Sequence, residues 1–342
     1  MKSFLAKIIS NSFSRYKYLK CRQIYYDFNF IKLANSFFLK KQIQNIDNNL
    51  IIIGQVQRSG GSLLTQLFDN HKEIYSYPNE LIITEPKFNW KKKMYFSTTL
   101  LNTRLSKSSS SNNYSKPGKD HPKNSFKNSF IFNPFFEKKI FDILEKKNID
   151  NNLRIKFNNY FTAFFNAFLN YENKIKKKKF ILAFLPGFFT LKTNIDLFFK
   201  IYPDGYLINI IRDPHTWLGS AKIHSSQYKD TKASLVYWEK NVKNTLELKK
   251  KYKNKIIIIK FENLIKRNEK TLKKICSSIG IKFDSNLLKP TFNGSPILSN
   301  SSFKSVKNLV SINPLKKENF KINAKDRLIL SKYIKIYKSL KI

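Results

Sequence analysis

Short apolar runs alternate along the chain with longer stretches in which apolar residues recur every three or four positions. The runs at 50–53, 180–185, 206–211 and 255–260 are only a few residues long and rich in isoleucine. That length and composition predict strands buried on both faces rather than helices. Between the runs, Leu63, Leu64, Leu67 and Phe68 fall at helical spacing, as do Leu235, Trp238, Val242 and Leu246. Leu272, Ile275, Cys276 and Ile279 do the same, with Gly280 placed to cap the helix C-terminus. Residues 191–201 predict a further helix. Phe157, Phe161, Phe164, Phe165 and Phe168 lie at i, i+4, i+7, i+8 and i+11, a single stripe that reads as core packing. Strands alternating with helices predict an α/β fold around a central parallel sheet.

Two segments stand outside this alternation. Residues 1–48 mix lysines with Phe4, Ile8, Ile9, Phe13, Tyr16, Tyr18 and Leu19. Such an arm either lies amphipathically against a membrane surface or packs as helices on the domain edge. Residues 102–133 are rich in Ser, Asn and Lys and contain too little apolar surface for a core, so they read as an insertion. It is either a lid on the acceptor side or a segment without a role. The expected organisation is an arm at 1–48 and one domain at 49–342 carrying the insertion.

Two strand-to-helix junctions carry the candidate chemistry. The first is Gly54-Gln55-Val56-Gln57-Arg58-Ser59-Gly60-Gly61-Ser62-Leu63, between the run at 50–53 and the first amphipathic helix. Free N–H groups at a helix N-terminus attract an anion, and Gly60 and Gly61 would let a ligand approach the backbone. An ordinary strand-to-helix turn is the alternative. A nucleoside-triphosphate loop needs Gly, four residues, then Gly-Lys-Ser/Thr. Here five residues separate Gly54 from Gly60, Gly61 stands where the lysine belongs, and the cation is Arg58. The second junction is Arg212-Asp213-Pro214, with Asp213 as N-cap, Pro214 as first helical residue and Ser220 about two turns further on. Arg212 and Ser220 can therefore face one anion. Only eight of the chain's 64 Lys+Arg are arginine, yet arginine occurs at both junctions, where its planar fork suits phosphate better than an ammonium does.

Together these junctions resemble the two donor-binding motifs of the sulfotransferases that use 3′-phosphoadenosine-5′-phosphosulfate. The resemblance runs from about residue 49 to 303 and extends to Phe261-Glu262-Asn263-Leu264 after the last strand. It implies a P-loop-like, three-layer α/β/α fold and sulfuryl transfer to a hydroxyl, on a glycan by the polysaccharide-type resemblance, without a metal. It further implies that Arg58, Ser59, Gly60, Gly61, Ser62 and Leu63 hold the 5′-phosphate and that Arg212 and Ser220 hold the 3′-phosphate. Arg58 would also neutralise charge on the leaving oxygen. Glu80 stands where the family's glutamate base would be; His71 is the other candidate. Lys72 and Gly61 depart from the family's pattern, in which a proline follows the histidine and a hydroxyl residue follows the glycine. Glu262 would be structural, and residues 290–303 resemble the segment covering the nucleotide.

Composition changes this picture little. The net charge of +41 invites nucleic acid or anionic membrane as a partner. The lysines, however, are spread along the chain in the Lys/Asn/Ile/Phe-rich usage of an A+T-rich coding sequence, and no nucleic-acid recognition motif occurs. Cys21 and Cys276 make no disulfide framework, and His71, His121, His215 and His224 are not at zinc-ligand spacing. No apolar run is long enough to span a membrane, and no signal peptide is evident, so a cytoplasmic location is expected, with peripheral membrane contact through the arm. Two rival readings stay open on the sequence: a nucleoside-triphosphate-dependent kinase and a basic nucleic-acid-binding protein.

Overall fold

The computed structural model describes residues 43–84, 89–91, 94, 96, 134–168, 171, 178–296, 310, 313–315 and 322–342. Nearly all of the N-terminal arm, the insertion at 102–133 and residues 297–303 lie outside this set.

In chain order the elements are β1 (Asn49–Ile53), α1 (Gly61–Phe68), β2 (Ile74–Glu80), α2 (Pro134–Glu145), α3 (Leu153–Ala167), β3 (Phe180–Phe184), α4 (Lys192–Ile201), β4 (Tyr206–Ile211), α5 (Pro214–His224), α6 (Thr231–Tyr252), β5 (Ile256–Lys260), α7 (Phe261–Lys266), α8 (Asn268–Ile279), the short β6 (Thr291–Phe292) and β7 (Ser295–Pro296), and α9 (Ala324–Ser339). The chain divides into two compact units, the smaller drawn from residues 1–47, 95–112 and 130–170 and the larger from the rest.

The larger unit is an α/β unit with the order β2-β3-β1-β4-β5, every neighbouring pair parallel. The apolar runs form its strands because each residue of β1, β3 and β4 beyond the first is buried, leaving no face for polar alternation. Ile51, Ile53, Leu182, Ile208, Ile210, Ile257 and Ile259 meet Leu64, Leu67 and Phe68 of α1 and Leu272, Ile275, Cys276 and Ile279 of α8. Burying one such aliphatic side chain contributes about 1.5–3 kcal/mol. On the opposite face Asn209 is fully buried, and its amide donates to Asn241 Oδ1 at 2.8 Å and Thr245 Oγ1 at 2.5 Å of α6. Thr245 takes the inward position there, and Leu246, expected inside, is exposed. Gly280 closes α8 at φ 71°, accepting the left-handed turn expected of it. No helix among the described residues is long and apolar enough to cross a membrane.

In the smaller unit, α3 carries the phenylalanine stripe, with Phe157, Phe161 and Phe164 completely buried. Asn152 caps it by accepting from the N–H groups of Arg154 and Ile155. The last residues of the arm join this helix: Ile46 N–H donates to Thr162 Oγ1 at 2.9 Å and Gln44 N–H to Asn166 Oδ1 at 3.1 Å.

Candidate active site

In the strand order, β1 lies between β3 and β4, so the chain leaves β1 where connections diverge to either side. Open parallel sheets bind ligands at that point, beyond the strand C-termini. The ladder continues one step past β1, with Gly54 N–H donating to Ile208 O at 2.9 Å. The loop then rises and turns back through two left-handed residues, Arg58 at φ 67° and Gly60 at φ 99°. Helix α1 begins directly after it. Its first internal bond runs from Leu64 N–H to Gly60 O, and no side chain caps the first turn. The N–H groups of Gly61, Ser62 and Leu63 therefore precede the helical ladder, and no acidic residue lies in that turn to compete with an anion.

Packing constrains both glycines. A Cβ on Gly60 would lie 2.6 Å from the Phe261 ring, and one on Gly61 would lie 2.1 Å from Gln55 Nε2. Ser59, just before them, is completely buried, and its hydroxyl has no hydrogen-bond partner among the described residues. An unsatisfied buried hydroxyl costs free energy. Its position beside an uncapped helix N-terminus fits an anionic ligand that accepts from it.

The second junction forms as expected. Asp213 accepts from the N–H groups of His215 and Thr216 at 3.0 and 3.1 Å, and Pro214 opens α5. Arg212 is 3% exposed. Its guanidinium donates to Thr216 Oγ1 at 3.1 Å, to Arg58 O at 2.8 Å and to Pro314 O at 2.6 Å, and lies over the Phe261 ring. Ser220, also buried, accepts from Arg58 Nε at 3.3 Å. The two junctions thus meet: the Arg58 side chain reaches the serine of the second, and Arg212 grips the backbone of the first. Burial lowers the pKa of both arginines, that of Arg212 to about 10, with Glu262 opposing the shift and Arg58 adding to it. Crowded, desolvated cations of this kind favour an anion between them.

Glu80 is the last residue of β2, on the edge strand, and 9% exposed. The pairing of β2 with β3 is irregular between Ser76 and Glu80, across Pro78, which has no N–H to donate to a ladder. Glu80 lies close enough to Tyr228 for its charge to help raise that phenol. The Tyr228 pKa is about 12, chiefly through burial, with Arg58 pulling the other way. Glu80, Tyr228 and Arg58 thus share one electrostatic neighbourhood at the strand C-termini.

His71 lies elsewhere, between α1 and the start of β2, at the opposite end of the strand from Glu80. Its Nδ1 accepts from Glu73 N–H at 3.2 Å, so Nε2 carries the proton and donates to Lys282 O at 2.8 Å. Burial lowers its pKa, in keeping with a neutral, structural imidazole. The segment at 290–296, expected over the nucleotide, is instead tied to the far end of α1. Asp69 accepts there from Thr291 Oγ1 at 3.0 Å and from Gly294 N–H at 2.9 Å. The segment that reaches the Arg212 guanidinium is Asn313–Leu315, through the Pro314 carbonyl.

Glu262 is structural, as expected: it accepts from Asp213 N–H at 3.0 Å and from the Tyr337 hydroxyl. No group of three or more His, Cys, Asp or Glu side chains among the described residues is placed to hold a metal.

Residues 50–285 match the sequence profile described as the Sulfotransferase family, a span that contains both junctions and Glu80. The chain belongs to the sulfotransferase family. Among solved structures, this sulfotransferase is similar to the sulfotransferase domain of the Synechococcus PCC 7002 olefin synthase, with 16% identity over 88% of this chain and 100% of that one, at a TM-score of 0.49. The sulfotransferase domain from the curacin biosynthetic pathway shows 14% identity over 84% and 97%, at 0.46. Sulfotransferase STF9 from Mycobacterium avium shows 12% over 90% and 80%, at 0.41. Comparison with curated proteins by sequence gave no match. Family membership makes the protein a transferase of sulfuryl groups and removes the kinase reading. Sulfotransferases generally use 3′-phosphoadenosine-5′-phosphosulfate and hydroxyl-bearing acceptors.

Several residues of the candidate site carry no motif and were not singled out by sequence as functional. Trp217 Nε1 donates to Gln57 O at 2.8 Å, and Trp238 Nε1 to Arg212 O at 3.1 Å, so one indole braces each junction. Tyr228 and Tyr237 both donate to Gln57 Oε1, at 2.8 and 3.1 Å. A run of tyrosine and tryptophan on the helices after Arg-Asp-Pro was the available signal, and it reads equally well as core.

Proposed function

We propose that this sulfotransferase moves the sulfuryl group of 3′-phosphoadenosine-5′-phosphosulfate to a hydroxyl of a glycan. The observation that carries the donor assignment is the junction of the two arginines: Arg58 on Ser220, and Arg212 on the Arg58 carbonyl. Two cations beyond the ends of adjacent strands, beside the uncapped N-terminus of α1, form a cradle for a doubly phosphorylated nucleotide. Arg58 and the amides of Ser59 to Leu63 hold the 5′-phosphate. Arg212 and Ser220 hold the 3′-phosphate.

The acceptor oxygen attacks sulfur in line with the bridging oxygen. A new S–O bond forms, the old one breaks, and adenosine-3′,5′-bisphosphate leaves with the bonding pair. Arg58 neutralises the charge growing on the bridging oxygen. Glu80 takes the acceptor proton. The glycan assignment is supported by the excess of 64 Lys+Arg over 23 Asp+Glu, which would draw an anionic polymer to the surface.

Thermal unfolding tests the donor. Saturating adenosine-3′,5′-bisphosphate should stabilise the protein by a few kcal/mol through mass action, and ATP much less. Transfer of labelled sulfuryl from the donor to fractionated cell-envelope glycans tests the acceptor. Stabilisation by ATP–magnesium alone would overturn the donor assignment, and label appearing only on a small phenol or amine would overturn the glycan.

A further inference from the structure

We propose that Gln57 is a catalytic residue: the NH2 of its side-chain amide donates hydrogen bonds to the sulfuryl oxygens during transfer, and Tyr228 and Tyr237 position it. This rests on the donor reading above. Gln57 is held at both its backbone and its side chain. Its backbone carbonyl accepts from Trp217 Nε1, and its side-chain oxygen accepts from two tyrosine hydroxyls, at 2.8 and 3.1 Å. Those two bonds use both lone pairs of the amide oxygen. The amide nitrogen carries two hydrogens; the Tyr237 oxygen lies within reach of one, and no other described residue accepts from it.

Holding a long polar side chain costs rotamer entropy of about 1–2 kcal/mol. Two tyrosines hold this side chain and a tryptophan its backbone, and the amide nitrogen keeps a hydrogen for a further partner. The opposite orientation of the amide would present its oxygen to an anionic donor, which electrostatics disfavours.

The place is as specific as the orientation. Gln57 immediately precedes Arg58 in the loop, and the hydroxyl that grips it belongs to Tyr228, which feels both Glu80 and Arg58. The amide therefore stands beside a point flanked by the proposed base and the cation on the leaving oxygen. In an in-line transfer the sulfur passes between those two. A neutral amide suits that task, because it meets negative sulfuryl oxygens without adding another charge to a site already holding two arginines. Sequence gave no hint of this, since one glutamine in a polar loop looks like solvated surface.

Adenosine-3′,5′-bisphosphate contains both phosphates and no sulfuryl group, so it separates this role from mere support of the loop. The experiment compares Gln57→Met with wild type in bisphosphate affinity and in steady-state transfer. The expected result is a 10- to 100-fold loss of kcat with bisphosphate affinity within twofold of wild type. Tyr228→Phe combined with Tyr237→Phe keeps the ring packing and releases the amide, and kcat should fall about 3- to 30-fold with bisphosphate binding again intact. An unchanged kcat in Gln57→Met, or a bisphosphate affinity that falls in step with kcat in both variants, would overturn the proposal. Failure of wild-type protein to bind the bisphosphate at all would instead count against the donor assignment.

Discussion

Arg212 donates a hydrogen bond to the backbone carbonyl of Arg58 at a distance of 2.8 Å. That bond makes the two junctions one structure, because Arg58 sits in the left-handed region at φ 67°, uncommon for a residue with a side chain. Its carbonyl direction is fixed by the same guanidinium that is proposed to bind the 3′-phosphate. The cost of the unusual backbone is met from beyond the neighbouring strand, at the proposed donor site.

Arg212→Ala should consequently fail in two ways. Donor affinity should drop by about 1.5–3 kcal/mol, the worth of a charge-assisted contact, and appear mainly as raised donor KM. Part of the loss should reach kcat, because remote binding energy also orients the reacting group. The protein without ligand should also lose stability, since the carbonyls of Arg58 and Pro314 lose their donor. Arg212→Lys, a single point charge, should recover only part of either loss. Denaturant unfolding beside bisphosphate titration measures both. Loss of affinity at unchanged stability would show that the carbonyl bonds carry no weight.

Ser59→Ala should have effects of opposite sign with and without ligand. The buried hydroxyl has no partner among the described residues, so its removal should leave the free protein as stable or slightly more stable. With adenosine-3′,5′-bisphosphate bound, the variant should lose about 0.5–1.5 kcal/mol of binding, the net value of one hydrogen bond. Equal bisphosphate affinity in the two proteins would remove Ser59 from the phosphate site.

The sheet and both junctions were legible because they depend on local sequence. Isoleucine runs fully buried on both faces leave little else for residues 50–53 or 256–259 to be, and Asp213-Pro214 states its own helix start. The Arg58–Ser220 and Arg212–Arg58 contacts join residues more than 150 positions apart, and no spacing rule predicts such pairs. Leu246 misled because a helix face shifts by one position where a polar pair, Asn209 with Thr245, takes the inward place. His71 looked like a candidate base only while its end of the sheet was unknown. Gln57 was invisible because its meaning lies in the two hydroxyls that hold it.

Glu137, on α2, gives a stability prediction independent of catalysis. It is completely buried with both carboxylate oxygens unpartnered among the described residues, and burial raises its pKa well above the ordinary 4.5, with Asp142 adding to the shift and Lys138 opposing it. The folded state therefore keeps a proton that the unfolded chain releases. Stability from this group is complete below about pH 4.5 and is lost as pH rises toward the folded-state pKa, by up to about 1.4 kcal/mol per pH unit. Glu137→Gln mimics the protonated form at every pH. It should flatten that slope and be more stable than wild type at pH 7 in denaturant unfolding. A wild type whose stability rises steadily from pH 5 to pH 7, with the variant running parallel to it, would refute this account.

Glu80 and His71 should separate cleanly. Glu80 ends β2 at the C-terminal end of the sheet, beyond which both arginines lie, whereas His71 precedes the start of the same strand. Seven residues of strand put about 20 Å between the two ends. A base acts only while the acceptor proton moves, so Glu80→Gln should lower kcat by about 10²–10⁴-fold and leave bisphosphate affinity nearly intact. His71→Leu removes an imidazole bonded at both nitrogens to Glu73 N–H and Lys282 O. It should cost about 1–3 kcal/mol of stability through the groups left unpaired, with kcat close to wild type below the lowered Tm. Steady-state kinetics on both variants at one temperature, chosen where each is folded by circular dichroism, makes the comparison. A Glu80→Gln enzyme with near-wild-type kcat would show that proton removal is not the role of this carboxylate, and the phosphate site built by Arg58, Arg212 and Ser220 would stand without it.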